Sequence, residues 1–495
     1  QKTAYEISLG LVGSEMCIRD RSAVGLGNIW GFSYKVGEAG GSAFVLIYLG
    51  CILVVGLPIM MAEIMIGRYS QHSPVSAMKK AAIDSGKTGY WQSVGWTGLF
   101  SGVLILSFYS VLAGICINYI GIAAMPNTDI SSFEQYAQVT GSPSTLFFWH
   151  SIFIGMNIAI IASGVIAGIE RMVRLLMPML FILMIVMLIN AMINGDFNAG
   201  LAYLFTPDFS KVNPETFLSA MGQAFFSLSL GMGSIMCYGS YMRKSEDIFK
   251  TSLTVAGLDT LIAILAGLAI FPMIFAYGME PQQGTGLVFK SLLTIFIEMP
   301  LGNIIGPAFF MLLSIAALSS AISLLEPSVA YFEENNIVSR SAAAIILGLI
   351  IWFVGIGSIL SMNTWENEYF LGKRNFMDSI IYLTFNILMP LGGMLVAIFA
   401  MFFIETYVLL ESDLIIVPLM CIICVAIPFV LVTIAPRYIP AEEVNLFFLL
   451  ETIIGPFWVW MVIKEQPSIE TIQGGLVIIL TIAIHSFLKL RKSKI

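Results

Sequence analysis

The stretch Phe226-Ser227-Leu228-Ser229-Leu230-Gly231-Met232-Gly233 interrupts an apolar run that is otherwise long enough to cross a bilayer as a helix. Near the start of the chain, Ala23-Val24-Gly25-Leu26-Gly27-Asn28 interrupts another. In each, two glycines one residue apart weaken the helix by about 1 kcal/mol apiece. The freed carbonyls and amides become ligands that need no charged side chain, which suits a zwitterion and a small cation. The interruptions fall in the first and sixth spans, the separation that an inverted repeat with a midplane site requires. Taken alone, the same glycines also read as small-residue seams for close helix packing.

Working outward, 58% of the 495 residues are apolar and 11% charged, too much hydrocarbon for a water-soluble core, so the solvent is lipid. Apolar stretches of roughly 17 to 25 residues, each able to cross a bilayer core of ~30 Å, recur throughout. They lie near 22–37, 42–66, 93–121, 146–164, 168–193, 216–241, 250–278, 303–331, 341–363 and 379–404, with three more near 414–435, 443–463 and 471–488. The runs are too uniformly apolar for barrel strands, so the expected fold is an all-α polytopic membrane protein. Basic residues are retained on the cytoplasmic side. Arg68, Lys79, Lys80 and Lys87, then Arg171 and Arg174, Arg243 and Lys244, and Arg340 mark every second loop. That pattern puts the N-terminus on the cytoplasmic side of the membrane.

Other classes fit poorly. His72, His150 and His485 show no nucleophile–base or metal-ligand spacing, so an enzyme is not expected. Nothing in the net charge of −7 points to nucleic acid. Cys51, Cys116, Cys237, Cys421 and Cys424 lie in apolar spans, where packing is the expected role.

Two ends stand apart. Residues 1–21, QKTAYEISLGLVGSEMCIRDR, form neither a signal peptide nor a span and resemble translated library adapter, which leaves the first helix truncated at Ser22. The basic tail of Lys489, Arg491, Lys492 and Lys494 should be cytoplasmic, yet thirteen spans would carry it outside. Residues 414–495, including APRYIPAEEVNLFFLLETIIGPFWVWMVIKEQPSIETIQGGLVIIL, resemble the last three helices of an EamA-type drug/metabolite transporter. The expected organisation is therefore a core at 22–404, a junction at 405–413 and a chimeric three-helix piece at 414–495; a genuine fusion is the alternative.

Polar residues inside the core spans are costly unless paired, wet or functional. The seventh span holds one acid, Asp259, and the eighth holds Ser319 and Ser320 after Ala316, oxygen chemistry suited to a hard cation. These residues favour the binding reading of the glycine breaks.

AVGLGNIWGFSYKVGEAGGSAF (23–44), GLPIMMAEIMIGRYS (56–70), FFSLSLGMG (225–233) and ALSSAISLLEP (317–327) resemble the neurotransmitter:sodium symporter family, over residues 22–404. The resemblance implies a LeuT-type core of ten helices in a five-plus-five inverted repeat, with the first and sixth broken, and Na+-coupled uptake of an amino acid by alternating access. It implies one Na+ on the Ala23 carbonyl, Asn28, Ser227, Asp259 and the substrate carboxylate. A second would sit on Val24, Ala316, Ser319 and Ser320, with a further carbonyl at the position of Arg21. The substrate carboxylate would meet the amides of Leu26 and Gly27 and the hydroxyl of Tyr109. Its ammonium would meet carbonyls of Ala23, Phe226 and Ser227, near Ser229. Gly25 stands where the monoamine carriers have an aspartate, which favours an amino acid over an amine. Ile105, Phe226, Met232, Ser320 and Leu324 would line an apolar or aromatic side-chain pocket.

The same resemblance makes Glu63 a brace for the two broken helices and Glu326 a weaker candidate for proton coupling. Ala263 replaces the serine of chloride-dependent relatives one turn after Asp259, so transport is expected to be chloride-independent. Gly31 replaces the arginine of the extracellular gate while its acidic partner, Asp378, remains. Lys35, Lys373 or Arg374 would pair with that acid, or the gate would rely on Tyr109 and Phe226. No organic cofactor is implied; the partners are Na+, the amino acid and the lipid bilayer. An EamA-type exporter and a non-transporting sensor on the same scaffold are the rivals.

Overall fold

The computed structural model describes residues 25–38, 41–127, 129–164, 171–243, 246–280 and 287–403. The chain divides into two compact units, residues 1–208 with 215–407, and residues 209–214 with 408–495. Of the second unit only 209–214 is described, a single 3-10 turn at Phe209–Lys211. The adapter-like segment, Ala23, Val24 and the EamA-like piece lie outside the described residues.

The described residues of the first unit are helical apart from one isolated bridge between Leu371 and Arg374. A π-helical turn at Gly27–Gly31 leads into α1 (Phe32–Glu38). Then come α2 (Ser42–Ser70), the short α3 (Pro74–Asp84), α4 (Gln92–Ala124), α5 (Ser132–Thr140) and α6 (Pro143–Ala162). They are followed by α7 (Arg171–Asn194), α8 (Phe197–Phe205), α9 (Pro214–Ser227), α10 (Ser234–Ser240) and α11 (Ile248–Ala276). Last are α12 (Leu292–Glu298), α13 (Gly302–Glu334), α14 (Arg340–Ser361) and α15 (Phe376–Met401).

Among the described residues seven helices, α2, α4, α6, α11, α13, α14 and α15, are each long and apolar enough to cross a membrane. The pair α7 and α8, bent by 113°, makes an eighth. The seven single helices each match an expected span to within a few residues, whereas the bent pair runs on to Phe205, past the expected end at 193. The bend has a local cause: Asp196 caps α8 through Ala199 N at 3.0 Å, while its own amide leaves the helix for Pro272 O at 2.9 Å. The short helices α3, α5, α8 and α12 are not anticipated by hydropathy, because none is long enough to register as a span.

α4 and α13 pack along each other at the centre of the unit. Small residues permit this closeness, since a Cβ at Gly102 of α4 would meet the Leu324 carbonyl of α13 at 2.9 Å. A Cβ at Gly98 would meet the Gly233 amide at 3.0 Å, so the second glycine-rich break lies against α4 at backbone distance. α2 and α10 are equally close, and a Cβ at Gly239 would meet the Ile64 carbonyl at 2.8 Å.

Candidate functional site

The second interruption is a true break. α9 ends at Ser227, α10 begins at Ser234, and between them Ser229, Gly231 and Gly233 take left-handed backbone with φ of +58°, +72° and +76°. Glycine is needed at two of these, since a side chain there is strained by the conformation itself. The loop closes on its own turns, Ser229 N to Phe226 O at 3.2 Å and Leu230 N to Phe225 O at 2.9 Å. The Gly231 amide is taken by Glu63 Oε1 at 2.7 Å, so a fully buried carboxylate on α2 holds the break open.

The first interruption is described from Gly25, which is not helical; Asn28 N reaches Gly25 O at 3.1 Å before the π-helical turn begins. The two breaks meet. Gln223 of α9 donates from Nε2 to Gly27 O at 2.8 Å. A Cβ at Gly27 would press on the Phe226 ring at 2.8 Å, and one at Gly31 would meet Gln223 Oε1 at 3.3 Å.

At this junction Asn28 Nδ2 donates to Asp259 Oδ1 at 2.7 Å and to the Asp259 carbonyl at 3.0 Å. Tyr48 Oη donates to Asp259 Oδ2 at 3.3 Å and lies 3.0 Å from Ser227 Oγ. Asn28, Tyr48, Ser227 and Asp259 are all buried. Among the described residues no Lys, Arg or His pairs with the Asp259 carboxylate. A buried carboxylate that receives hydrogen bonds but no counter-charge is an unbalanced anion in an apolar medium.

Beside this cluster is a cavity lined by Gly25, Gly27, Asn28, Tyr109, Phe226, Ser227, Ser229, Met232, Ser320, Ser323 and Leu324. Tyr109 stands edge-on to Phe226, centroids 6.4 Å apart at 67°, and Phe226 lies against Phe385 at 4.5 Å. The buried Tyr109 hydroxyl faces Ser320 and the Leu26 amide. On α13, Ser319 donates to Ala316 O at 2.9 Å, and Ser320 comes so near Gly25 that any side chain there would collide with its Oγ.

Of the expected site residues, Gly25, Gly27, Asn28, Tyr109, Phe226, Ser227, Ser229, Met232, Ser320 and Leu324 line the cavity and Asp259 bonds to Asn28 beside it, while Ala23 and Val24 lie outside the described residues. Leu26 is buried, and Ile105 is fully buried one turn before Tyr109 without reaching the cavity wall. Of the basic residues expected to serve the outer acid, Arg374 is the one whose charge acts on Asp378, which is exposed in the first turn of α15; Arg374 also lies over the Tyr382 ring at 4.0 Å, while Lys35 is engaged by Glu38 at 2.9 Å. Glu326 is buried against Arg340 at 2.5 Å and accepts from Tyr241 Oη at 3.1 Å, away from the cavity lining. Tyr48, Gln223, Ser323 and Tyr238 were not foreseen. The one available signal was chemical: a tyrosine or glutamine inside an apolar span must find a partner once buried.

Comparison with known proteins agrees with this geometry. A family model described as "Sodium:neurotransmitter symporter family" matches residues 19–128 and 141–437. An uncharacterized sodium-dependent transporter of Haemophilus influenzae is 36% identical over 395 residues, covering 78% of this chain and 86% of that protein. One of Bacillus subtilis is 34% identical, covering 76% of this chain and 84% of its own length. Among solved structures, MhsT in complex with L-phenylalanine superposes with a TM-score of 0.73 at 43% identity, covering 78% of this chain and 88% of that one.

Proposed function

The chain belongs to the sodium:neurotransmitter symporter family, a family of sodium-dependent transporters and not of enzymes, and from that membership we propose that it couples uptake of an apolar or aromatic amino acid to Na+. The observation that carries this reading is the buried Asp259 carboxylate, bonded to Asn28 beside one helix break and linked through Tyr48 to Ser227 at the other.

Na+ is a hard cation that sheds water only for well-placed oxygens. Carboxylate, hydroxyl and amide oxygens at this junction, with main-chain carbonyls of the breaks, supply them. The bound ion neutralises Asp259 and ties both breaks to α11. The substrate carboxylate completes the ion's shell, so each ligand favours the binding of the other, which is the coupling itself. Ser319, Ser320 and the Ala316 carbonyl, with Val24, form the second ion site.

The amino acid lies in the cavity with its carboxylate on the buried Tyr109 hydroxyl, which faces Ser320 and the Leu26 amide, and on the amides of Leu26 and Gly27. Its ammonium meets carbonyls around Ala23, Phe226 and Ser227. Phe226, Met232 and Leu324 enclose the side chain, and the L-phenylalanine bound to the similar MhsT supports that size and polarity. Tyr109, Phe226 and Phe385 form the closing layer of the gate. Because Asp259 supplies a fixed negative charge, chloride is not required. The functional core is placed at residues 22–404 in a bacterial inner membrane, N-terminus inside; the family match runs on to 437, into the first part of the 414–495 piece read as EamA-like.

Purified protein in liposomes should accumulate labelled L-phenylalanine under an inward Na+ gradient, and gluconate in place of chloride should leave the rate within about twofold. Binding without accumulation would favour a sensor. Proton-driven efflux would favour an exporter.

A further inference from the structure

We infer that Ser323 selects the substrate side chain, favouring an aromatic amino acid whose ring carries an N–H or O–H donor, such as tyrosine or tryptophan, over phenylalanine. This rests on the amino-acid reading above and narrows it.

Among the described residues, Ser323 is the one polar cavity-lining side chain assigned neither to a proposed Na+ site nor to the proposed carboxylate and ammonium sites of the substrate. Its neighbours on the wall are the apolar Leu324 and Met232 with the Phe226 ring, surfaces that suit an aromatic ring through edge and sulfur contacts. Its hydrogen bonds fix its character. Ser323 Oγ lies 3.2 Å from the Ser319 carbonyl, which can only accept, so the single Ser323 proton is used there. Tyr238 Oη then donates to Ser323 Oγ at 2.8 Å. A hydroxyl oxygen has two lone pairs, and Tyr238 occupies one.

The second lone pair remains on the hydroxyl of a cavity-lining residue that has no proton left to give. Ser323 therefore meets the substrate as an acceptor only. The group is also held still, since the Ser323 carbonyl accepts from Ser234 Oγ at 2.9 Å, tying this turn of α13 to the start of α10. A phenol O–H or indole N–H satisfies the lone pair; a phenyl edge leaves it without a partner in a dry pocket. An O-methylated tyrosine, which has an acceptor where tyrosine has a donor, sets two lone pairs against each other.

The test is competition against labelled L-phenylalanine in saturating Na+, with tyrosine, tryptophan and O-methyltyrosine as competitors. Tyrosine and tryptophan should bind about tenfold more tightly than phenylalanine, the worth of one good buried hydrogen bond, and O-methyltyrosine should lose that advantage. Ser323→Ala should bring the tyrosine-to-phenylalanine ratio to about one. The double variant Ser323→Ala/Tyr238→Phe, which leaves no hydroxyl orphaned, should do the same. Tyr238→Phe alone should keep the preference, because Ser323 retains its lone pairs.

A purely structural role would shift all competitors together and leave the ratios unmoved. Equal affinity for tyrosine and phenylalanine in the unmodified protein, or a preference that survives both Ser323 variants, overturns the inference while leaving the transport reading intact. Absence of Na+-dependent binding by any of these amino acids overturns the transport reading itself.

Discussion

Replacing Asp259 by asparagine keeps the shape of the ion site and removes its charge. The amide oxygen still accepts from Asn28, whose Nδ2 lies 2.7 Å from Asp259 Oδ1, and Tyr48 can reverse its role toward the new amide nitrogen. Folding should therefore survive, and without Na+ the variant should be no less stable than the parent, since an uncompensated buried charge is gone. What is lost is the attraction for the cation. Two unit charges 4 Å apart at an effective dielectric of 20 attract by about 4 kcal/mol. Relief of the carboxylate's desolvation in the ion-free state offsets part of this, leaving about 1.5 to 3 kcal/mol, or about 10- to 100-fold in affinity. Titrating Na+ against amino-acid binding should show the half-saturating concentration rising at least tenfold. The Na+-induced increase in melting temperature should fall in parallel, by on the order of 2 °C. A half-saturation within twofold of the parent would refute the assignment of Asp259 as an ion ligand.

Substitutions at three further positions probe the architecture. Glu63→Ala strands the Gly231 amide in a dry interior and should lower stability by about 1 to 3 kcal/mol, whereas Glu63→Gln, which keeps an acceptor, should cost less than half as much in a thermal melt. Gly25→Ala should raise the half-saturating amino-acid concentration about tenfold, because its methyl group would displace the Ser320 hydroxyl from the cavity wall; an unchanged value would separate Gly25 from the substrate site. Tyr48→Phe removes the hydroxyl between Ser227 and Asp259 and should weaken Na+ about three- to tenfold, with amino-acid affinity at saturating Na+ held near the parent value.

Much of this site was legible because the signals were local. Glycine pairs at 25/27 and 231/233 announce helix breaks by composition, and Asp259 is conspicuous as the acid of an otherwise apolar span. Composition and spacing alone did not pair those residues, because their partners are set by tertiary packing; only the family resemblance put Asn28, Ser227 and Asp259 in one site. Asn28 and Asp259 are 231 positions apart, Tyr48 and Ser227 are 179, and Gln223 finds Gly27 across 196. No period or spacing encodes such pairs. The outer gate shows the same limit. With Gly31 in place of arginine, sequence offers three basic side chains for Asp378; packing commits Lys35 to Glu38 and leaves Arg374, over the Tyr382 ring, as the one whose charge acts on Asp378, while the space beside Gly31 is filled by Gln223. Ser323 looks like any small residue of a membrane helix until its one proton is traced to Ser319.

The central claim is that the two helix breaks join around a cation held by Asn28, Ser227 and Asp259. A density map of the protein with Na+ and an aromatic amino acid bound tests it most directly. The account predicts an ion density among those three side chains, touching the carboxylate of an amino acid that lies between residues 25–28 and 226–229. An amino acid bound there with the ion elsewhere, or with Asp259 turned away from it, would contradict the account.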